Sequence, residues 1–476
     1  MKKFGAMFLV LSLLLTFLMP ISSSATIETE DDKSVNQGCH TIDAKVPLLG
    51  SVPYTDNARA AILYECNTDT LMYAYNADEQ MYPSSFVKIM TAYIATEEGN
   101  LDDLVTVRQD VLNTLPKGSV IAHLQANEIM SLENLLYCMM VQSANDAAAV
   151  IADYLGGSQA AFVDKMNAYA ATLGCTGTKF MNPHGLHHEQ QLTTARDTAK
   201  ILAAAMQNED FATIFNTAFY TVPATNKSSA RYYETINHLI NYKEYAIYYD
   251  RRVTGGRTGV TDDGYRCVAA ASEADGLQMI SVVMGTHSTF EEDSYVIKII
   301  GGFLETRELL DMGYAGYREV QIAYDSRPIK QQVVTNGTSN VILGTKDKLS
   351  TVLPQSIDNE DLIYRYNDIP GAFEAPVKKG DILSDVEIWY GSVCLGHLEL
   401  YAMNGVDPIV PVAEQEDVDI PKQQNKKLGK VVLWSVVALV GLVAIIVITL
   451  LVVRKVRLAH FHRRTKQYQR SRRRSR

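Results

Sequence analysis

Ser85-Phe86-Val87-Lys88 sets a hydroxyl and an amine three residues apart. A serine hydroxyl is a poor nucleophile until a nearby base takes its proton, and a lysine is that base only where its surroundings hold it neutral. Ser143-Ala144-Asn145 follows 58 residues after Ser85, adding a second hydroxyl able to relay a proton and an amide able to hold a peptide backbone. Arg257-Thr258-Gly259 closes the set with a cation and a hydroxyl suited to a carboxylate, and a glycine that lets a bound chain lie close along a strand. The three segments together read as a site for covalent catalysis by serine.

Such a site needs elements to carry it. If a helix begins near Pro83 or Ser84, Ser85 and Lys88 share one of its faces, and its N-terminus favours developing negative charge. Ile89, Met90, Tyr93 and Ile94 make the apolar stripe of that helix, and Pro83 suits its start. Leu132 to Tyr154 and Ala160 to Leu173 have helical periodicity. Apolar runs at Ala58 to Tyr64 and Leu71 to Tyr75 flank Asn67-Thr68-Asp69 as a hairpin, and Cys267 to Ala271 with Met279 to Met284 flank Asp275-Gly276 as another. Tyr295 to Leu310 reads as a long amphipathic helix. From about Arg318 the texture changes to β-prone runs between turns, at Val320 to Ala323, Gln331 to Thr335, Val341 to Leu343, Leu362 to Tyr366 and Val386 to Tyr390, which predicts a small all-β domain.

A serine three residues before a lysine occurs by chance on the order of once in a chain of this length, so order and context carry the reading. The ordered set resembles the Ser-x-x-Lys, Ser-x-Asn and Lys-Thr-Gly motifs of β-lactamases and penicillin-binding proteins. Tyr82 to Thr91, Ser143 to Ala148, Asn182-Pro183-His184-Gly185-Leu186, Thr194 to Asp197, Val222 to Lys227 and Glu305 to Leu310 are similar to blocks of the low-molecular-weight penicillin-binding proteins, the serine-type D-alanyl-D-alanine carboxypeptidases. The resemblance spans roughly Val46 to Tyr317.

It implies an α/β (α+β) fold of the β-lactamase/transpeptidase type, an antiparallel sheet with a helical lobe. It implies Ser85 as nucleophile, Lys88 as general base, Ser143 as proton relay, Asn145 at the substrate backbone, Arg257 with Thr258 at the terminal carboxylate, and Gly259 beside them in the substrate-binding strand. The backbone NH groups of Ser85 and Val260 would form the oxyanion hole. The implied substrate is a peptidoglycan stem peptide ending in D-Ala-D-Ala, with β-lactam antibiotics as inhibitors and no cofactor.

Two positions depart from the family pattern. Arg257 stands where the family usually has lysine, keeping the charge and adding a bidentate fork but unable to give up a proton. Some relatives carry a carboxylate-binding arginine shortly after the Met-Gly of the next strand, where this chain continues from Met284-Gly285 into Thr286-His287-Ser288-Thr289-Phe290-Glu291-Glu292. These departures favour a non-catalytic wall-binding or scaffold relative as one alternative. A serine β-lactamase is another, although Glu189 to Thr193, the nearest match to its deacylating Glu-x-x-Leu-Asn segment, lacks the final asparagine, and D,D-endopeptidase activity on cross-links is a third.

The ends of the chain predict where the chemistry occurs. Residues 1–25 have Lys2 and Lys3, an apolar stretch and Ser23-Ser24-Ala25, the pattern of a cleaved signal peptide. Val431 to Val453 is an uncharged run of 23 residues, long enough to cross a bilayer as a helix. Residues 454–476 hold eleven lysines and arginines and no acid, which places the tail in the cytoplasm and the body outside. The expected order is therefore signal peptide 1–25, catalytic domain 44–317, β-rich domain 318–412, linker 413–430, membrane helix 431–453 and basic tail 454–476.

Removing those eleven charges and Lys2 and Lys3 from the net −10 leaves about −23 for Thr26 to Val453, which argues against nucleic acid as a partner. Six cysteines stand singly without a C-x-x-C pair, and Cys138 reads as core among Leu135, Leu136, Met139 and Met140. His184, His187, His188 and Glu189 crowd one loop, but no helical or strand spacing presents them together, so a polar loop near the cleft is expected rather than a metal site.

Overall fold

The computed structural model describes residues 42–410 apart from 45, 46, 51, 244 and 291–296. The signal peptide, linker, membrane helix and basic tail expected from the sequence lie outside the described residues. Among the described residues no helix is long and apolar enough to cross a membrane.

The N-terminal body is organised on a five-stranded antiparallel sheet. Strands β1 (Ala60–Glu65) and β2 (Thr70–Tyr75) form the first predicted hairpin. Strands β4 (Arg266–Ala274) and β5 (Leu277–Thr286) form the second, and β3 (Val253–Val260) precedes them. The sheet order is β2-β1-β5-β4-β3, so chain segments some two hundred residues apart pair through β1 and β5, and β3 is left at an edge. Successive β1 side chains point to opposite faces: Ile62 packs under the helical lobe, whereas Ala61 and Leu63 pack on the other side. Both faces are covered, which is why β1 reads as a continuous apolar run.

Helices α1 (Val87–Glu98), α2 (Leu132–Val141), α3 (Asn145–Gly156), α4 (Gln159–Thr172) and α5 (Ala195–Ala205) build the lobe on the first face. Helix α1 follows a tight turn over Ser84–Phe86 and buries Ile89, Met90 and Ile94, the predicted stripe. The single helical stretch expected over residues 132–154 is two helices. Ser143 takes a left-handed φ of 64°, which an α-helix does not accommodate, so the chain breaks between α2 and α3 and turns that hydroxyl outward.

Helix α6 (Phe303–Tyr314) covers the second face. It starts later than the predicted Tyr295 and ends later than Leu310. Ile297–Ile299 instead forms a short strand with Thr289–Phe290, and Gly302, at φ 95°, opens the helix.

The β-rich domain contains seven strands, β6 (Tyr317–Ala323), β7 (Pro328–Val333), β8 (Asn340–Gly344), β9 (Leu349–Pro354), β10 (Ile363–Asp368), β11 (Ile382–Tyr390) and β12 (Val393–Ala402). Five pair in the order β7-β8-β12-β11-β10, and β6 pairs with β9. Leu343, Val386, Ile388, Leu398 and Leu400 fill its own core. Strands β9 and β12 were not anticipated.

Candidate active site

The turn over Ser84–Phe86, the α2–α3 break and the end of edge strand β3 converge on one cleft of about 570 Å³. Its wall includes Ser85, Ser143, Asn145, Thr258, Gly259 and Val260. Segments more than a hundred residues apart in sequence thus meet as the motif order predicted.

Lys88, one turn into the helical run, is buried at 1% exposure. Its Nζ donates to Asn145 Oδ1 (2.7 Å) and to the His184 carbonyl, and lies 3.4 Å from Ser85 Oγ. Burial, and then the positive charge of Arg257, hold this amine well below the usual lysine range, with Asp146 opposing them weakly. A neutral amine has two N–H bonds and one lone pair. Asn145 and His184 occupy the N–H groups, which leaves the lone pair for the Ser85 hydroxyl.

Ser143 Oγ lies 3.3 Å from Ser85 Oγ and accepts a hydrogen bond from Arg257 Nη2. With that lone pair engaged, the Ser143 proton is free to point at a partner in the cleft. Asn145, read as a ligand for substrate backbone, also fixes the lysine amine through its side-chain oxygen.

Arg257 is buried behind Ser143 and is not part of the cleft wall. Besides Ser143 it donates to the Met140 carbonyl near the end of α2 (2.8 Å) and to the Ser85 carbonyl (3.3 Å). Burial lowers its pKa to about 10, so it remains a cation at neutral pH, and among the described residues no carboxylate pairs with it. A cation beside the carbonyl end of a helix is favourably placed. Its neighbour Thr258 points the other way along β3 and does line the cleft.

Gly259 lets β3 approach the nucleophile. A Cβ there would lie 3.1 Å from Ser84 Cβ and 3.3 Å from Ser85 N. The close approach expected for a bound chain thus also serves the protein itself. Ser84 Oγ donates to the Val260 carbonyl (2.7 Å), tying together the two segments whose NH groups were expected to form the oxyanion hole. Ser84 holds a φ of 46°, a strained conformation for a non-glycine residue immediately before the nucleophile.

Several supporting residues were missed by the sequence reading. Asp146 accepts from Ala122 N (2.8 Å), Ala147 N (2.9 Å) and Leu124 N (3.0 Å), anchoring the segment whose Gly118, Ser119 and Val120 line the cleft. Gln191 accepts from Met181 N (3.0 Å) and Asn182 N (3.2 Å) and donates to the Leu186 carbonyl (3.1 Å), shaping the loop that carries His184. Arg266 also lines the cleft. Asp146 lies within a block already singled out, whereas neither Gln191 nor Arg266 has a local signature.

The histidine-rich loop separates its side chains. His184 Nδ1 accepts from Leu186 N (3.2 Å), and burial above all, with the neighbouring Lys88 amine second, pushes its pKa down to about 3. His187 packs edge-on against Tyr82, and His188 Nδ1 accepts from Gln190 N (3.1 Å). Among the described residues no group of three His, Cys, Asp or Glu side chains is arranged to hold a metal. Glu189 is exposed and lies outside the cleft wall, so it does not occupy the place of a deacylating carboxylate. Cys66, Cys138, Cys175 and Cys267 are free thiols, with Cys138 buried in the lobe as expected.

Known proteins resemble this chain over most of its length. The chain is 29% identical over 365 residues to D-alanyl-D-alanine carboxypeptidase DacC of Escherichia coli, covering 74% of this chain and 84% of that one. It is 27% identical to the DacA carboxypeptidase of Haemophilus influenzae, covering 77% and 89%. The solved structure of penicillin binding protein 5 from Haemophilus influenzae superposes with a TM-score of 0.59 at 26% identity, covering 75% of this chain and all of that one. The profile of the penicillin-binding protein 5 C-terminal domain matches residues 317–408, the β-rich domain. The D-alanyl-D-alanine carboxypeptidase profile matches residues 50–288, half of the chain, and the chain belongs to that family.

Proposed function

We propose that this protein is a serine D-alanyl-D-alanine carboxypeptidase that removes the terminal D-Ala from peptidoglycan stem pentapeptides and is acylated by penicillins. The observation that carries the reading is the buried Lys88 amine, depressed in pKa and aimed at Ser85 Oγ. Lys88 takes the Ser85 proton as the hydroxyl attacks the penultimate carbonyl. The NH groups of Ser85 and Val260 receive the developing oxyanion. Ser143 relays the proton to the departing D-Ala nitrogen, and Arg257, fixed on Ser143, orients that hydroxyl while its charge keeps Lys88 neutral. Water then attacks the acyl-enzyme, with the same groups moving the proton in reverse, to release the shortened peptide and restore Ser85.

Membrane placement is a further part of the proposal and rests on sequence alone. The chain is exported through residues 1–25, anchored by 431–453 and oriented by its basic tail, so that catalysis takes place outside the cell membrane. Carbonate washing of membranes tests it: the protein stays in the pellet when anchored and is released when it is not.

Incubation of the purified protein with a pentapeptide ending in D-Ala-D-Ala tests the activity. Stoichiometric or catalytic release of free D-Ala supports the carboxypeptidase. Fast penicillin turnover without D-Ala release supports the β-lactamase instead, and neither reaction supports the non-catalytic relative.

A further inference from the structure

A substrate that ends in a free carboxylate needs a cation on the cleft wall, and Arg257 is not on that wall. Its guanidinium lies behind Ser143 and is already engaged by Ser143, Met140 and Ser85. Asp262 and Arg266 are the charged residues of the lining, and no ion pair joins them.

Arg266 begins β4, where it pairs with Val260 of β3. Cross-strand partners project to the same face of a sheet, and so do residues two apart on one strand, so Arg266, Val260 and Thr258 share a face at the open end of β3. The diagonal from Arg266 to Thr258 is within reach of a long side chain. On its other side β4 pairs Arg266 with Thr286 of β5, at the strand end where the sequence turns to His287 rather than to another cation.

The guanidinium has no hydrogen-bond or ion-pair partner among the described residues, yet the side chain is partly buried. Ile236, Val268, Ile300 and Phe303 also line the cleft and make part of its wall apolar. Desolvation lowers the Arg266 pKa, with Tyr248 opposing the shift. A partly desolvated cation without a counter-ion is costly to maintain, and an entering anion relieves that cost.

We propose that Arg266, together with the Thr258 hydroxyl, binds the terminal carboxylate of the substrate and so makes this enzyme selective for free C-terminal acids. The planar guanidinium presents two parallel N–H donors to such a group. This proposal rests on the carboxypeptidase reading, and it assigns to Arg266 the carboxylate role that sequence alone gives to Arg257.

The test compares two peptides in the full chain, one ending in D-Ala-D-Ala with a free acid and one ending in the D-Ala carboxamide. Wild-type release of the terminal residue from the free acid establishes the underlying activity, and its absence would sink that activity, not the Arg266 role alone. With an active wild type, Arg266→Gln should lower the acid-to-amide ratio of kcat/KM by about 10- to 100-fold. Arg266→Lys should restore part of the ratio, since it keeps charge but not the fork. An unchanged ratio in Arg266→Gln overturns the proposal, whether both substrates stay fast or both slow together.

Discussion

Lys88 Nζ lies 2.7 Å from Asn145 Oδ1, a contact between residues 57 positions apart that fixes the amine where it meets Ser85. Asn145 therefore serves the base as well as the substrate side of the cleft. The contact also explains how an amine at 1% exposure remains hydrogen-bonded while its charge is disfavoured.

The pH profile should register Arg257. The base works only when neutral, so kcat/KM rises with pH through the Lys88 pKa, which Arg257 helps to hold below the usual lysine value of 10.5. Removing that charge in Arg257→Gln raises the Lys88 pKa, and the acid limb moves to higher pH. Arg257→Lys should leave the limb nearly in place. A limb unmoved in both variants contradicts the electrostatic role.

Ser143→Gly separates chemistry from stability. Glycine removes the relay hydroxyl but accepts the φ of 64° without strain. Turnover should fall about 10²- to 10⁴-fold, the usual scale of general acid–base catalysis, while the protein stays folded, the eased backbone offsetting part of the lost Arg257–Ser143 hydrogen bond. Full activity in this variant would exclude Ser143 from proton transfer.

Gly185→Ala should damage the site from a distance. Gly185 has a φ of 86°, and a Cβ there would collide with the Ser84 carbonyl, next to the nucleophile. Gly264 has a nearly equal φ of 85° with open space around it, so Gly264→Ala isolates backbone strain of about 1–3 kcal/mol. Penicillin acylation should slow markedly in Gly185→Ala and stay near parental in Gly264→Ala; equal rates would show that the collision is harmless.

Asp146→Ala leaves the buried NH groups of Ala122 and Leu124 without their acceptor. Each unpaired group costs about 1–3 kcal/mol, so urea unfolding should register a loss of about 2–6 kcal/mol. An unchanged midpoint would mean that the loop finds other partners.

The sequence made some features visible through local chemistry and hid others behind tertiary constraint. Both sheet hairpins were legible because Asn67-Thr68-Asp69 and Asp275-Gly276 punctuate apolar runs. The α2–α3 break was not, since Gln142-Ser143-Ala144 contains neither glycine nor proline, and only the surrounding fold forces Ser143 left-handed. Strand β12 was obscured because Gly396 and His397 interrupt its pattern, although Gly396 is needed there: any side chain would meet Leu349. Motif order singled out Ser85, Lys88 and Ser143, and the fold brings their side chains together. The inward contacts of Arg257 go largely to carbonyls of distant segments, and Arg266 becomes adjacent to Val260 only through strand register, so neither relationship has a signature along the chain.

Peptide mapping by mass spectrometry, after the full chain is treated with benzylpenicillin, tests the central claim most directly. The account predicts one penicilloyl group on Ser85, absent from Ser85→Ala, and blockade of D-Ala release in step with its formation. A folded protein that carries no adduct, or carries it on another residue while still releasing D-Ala, would contradict it.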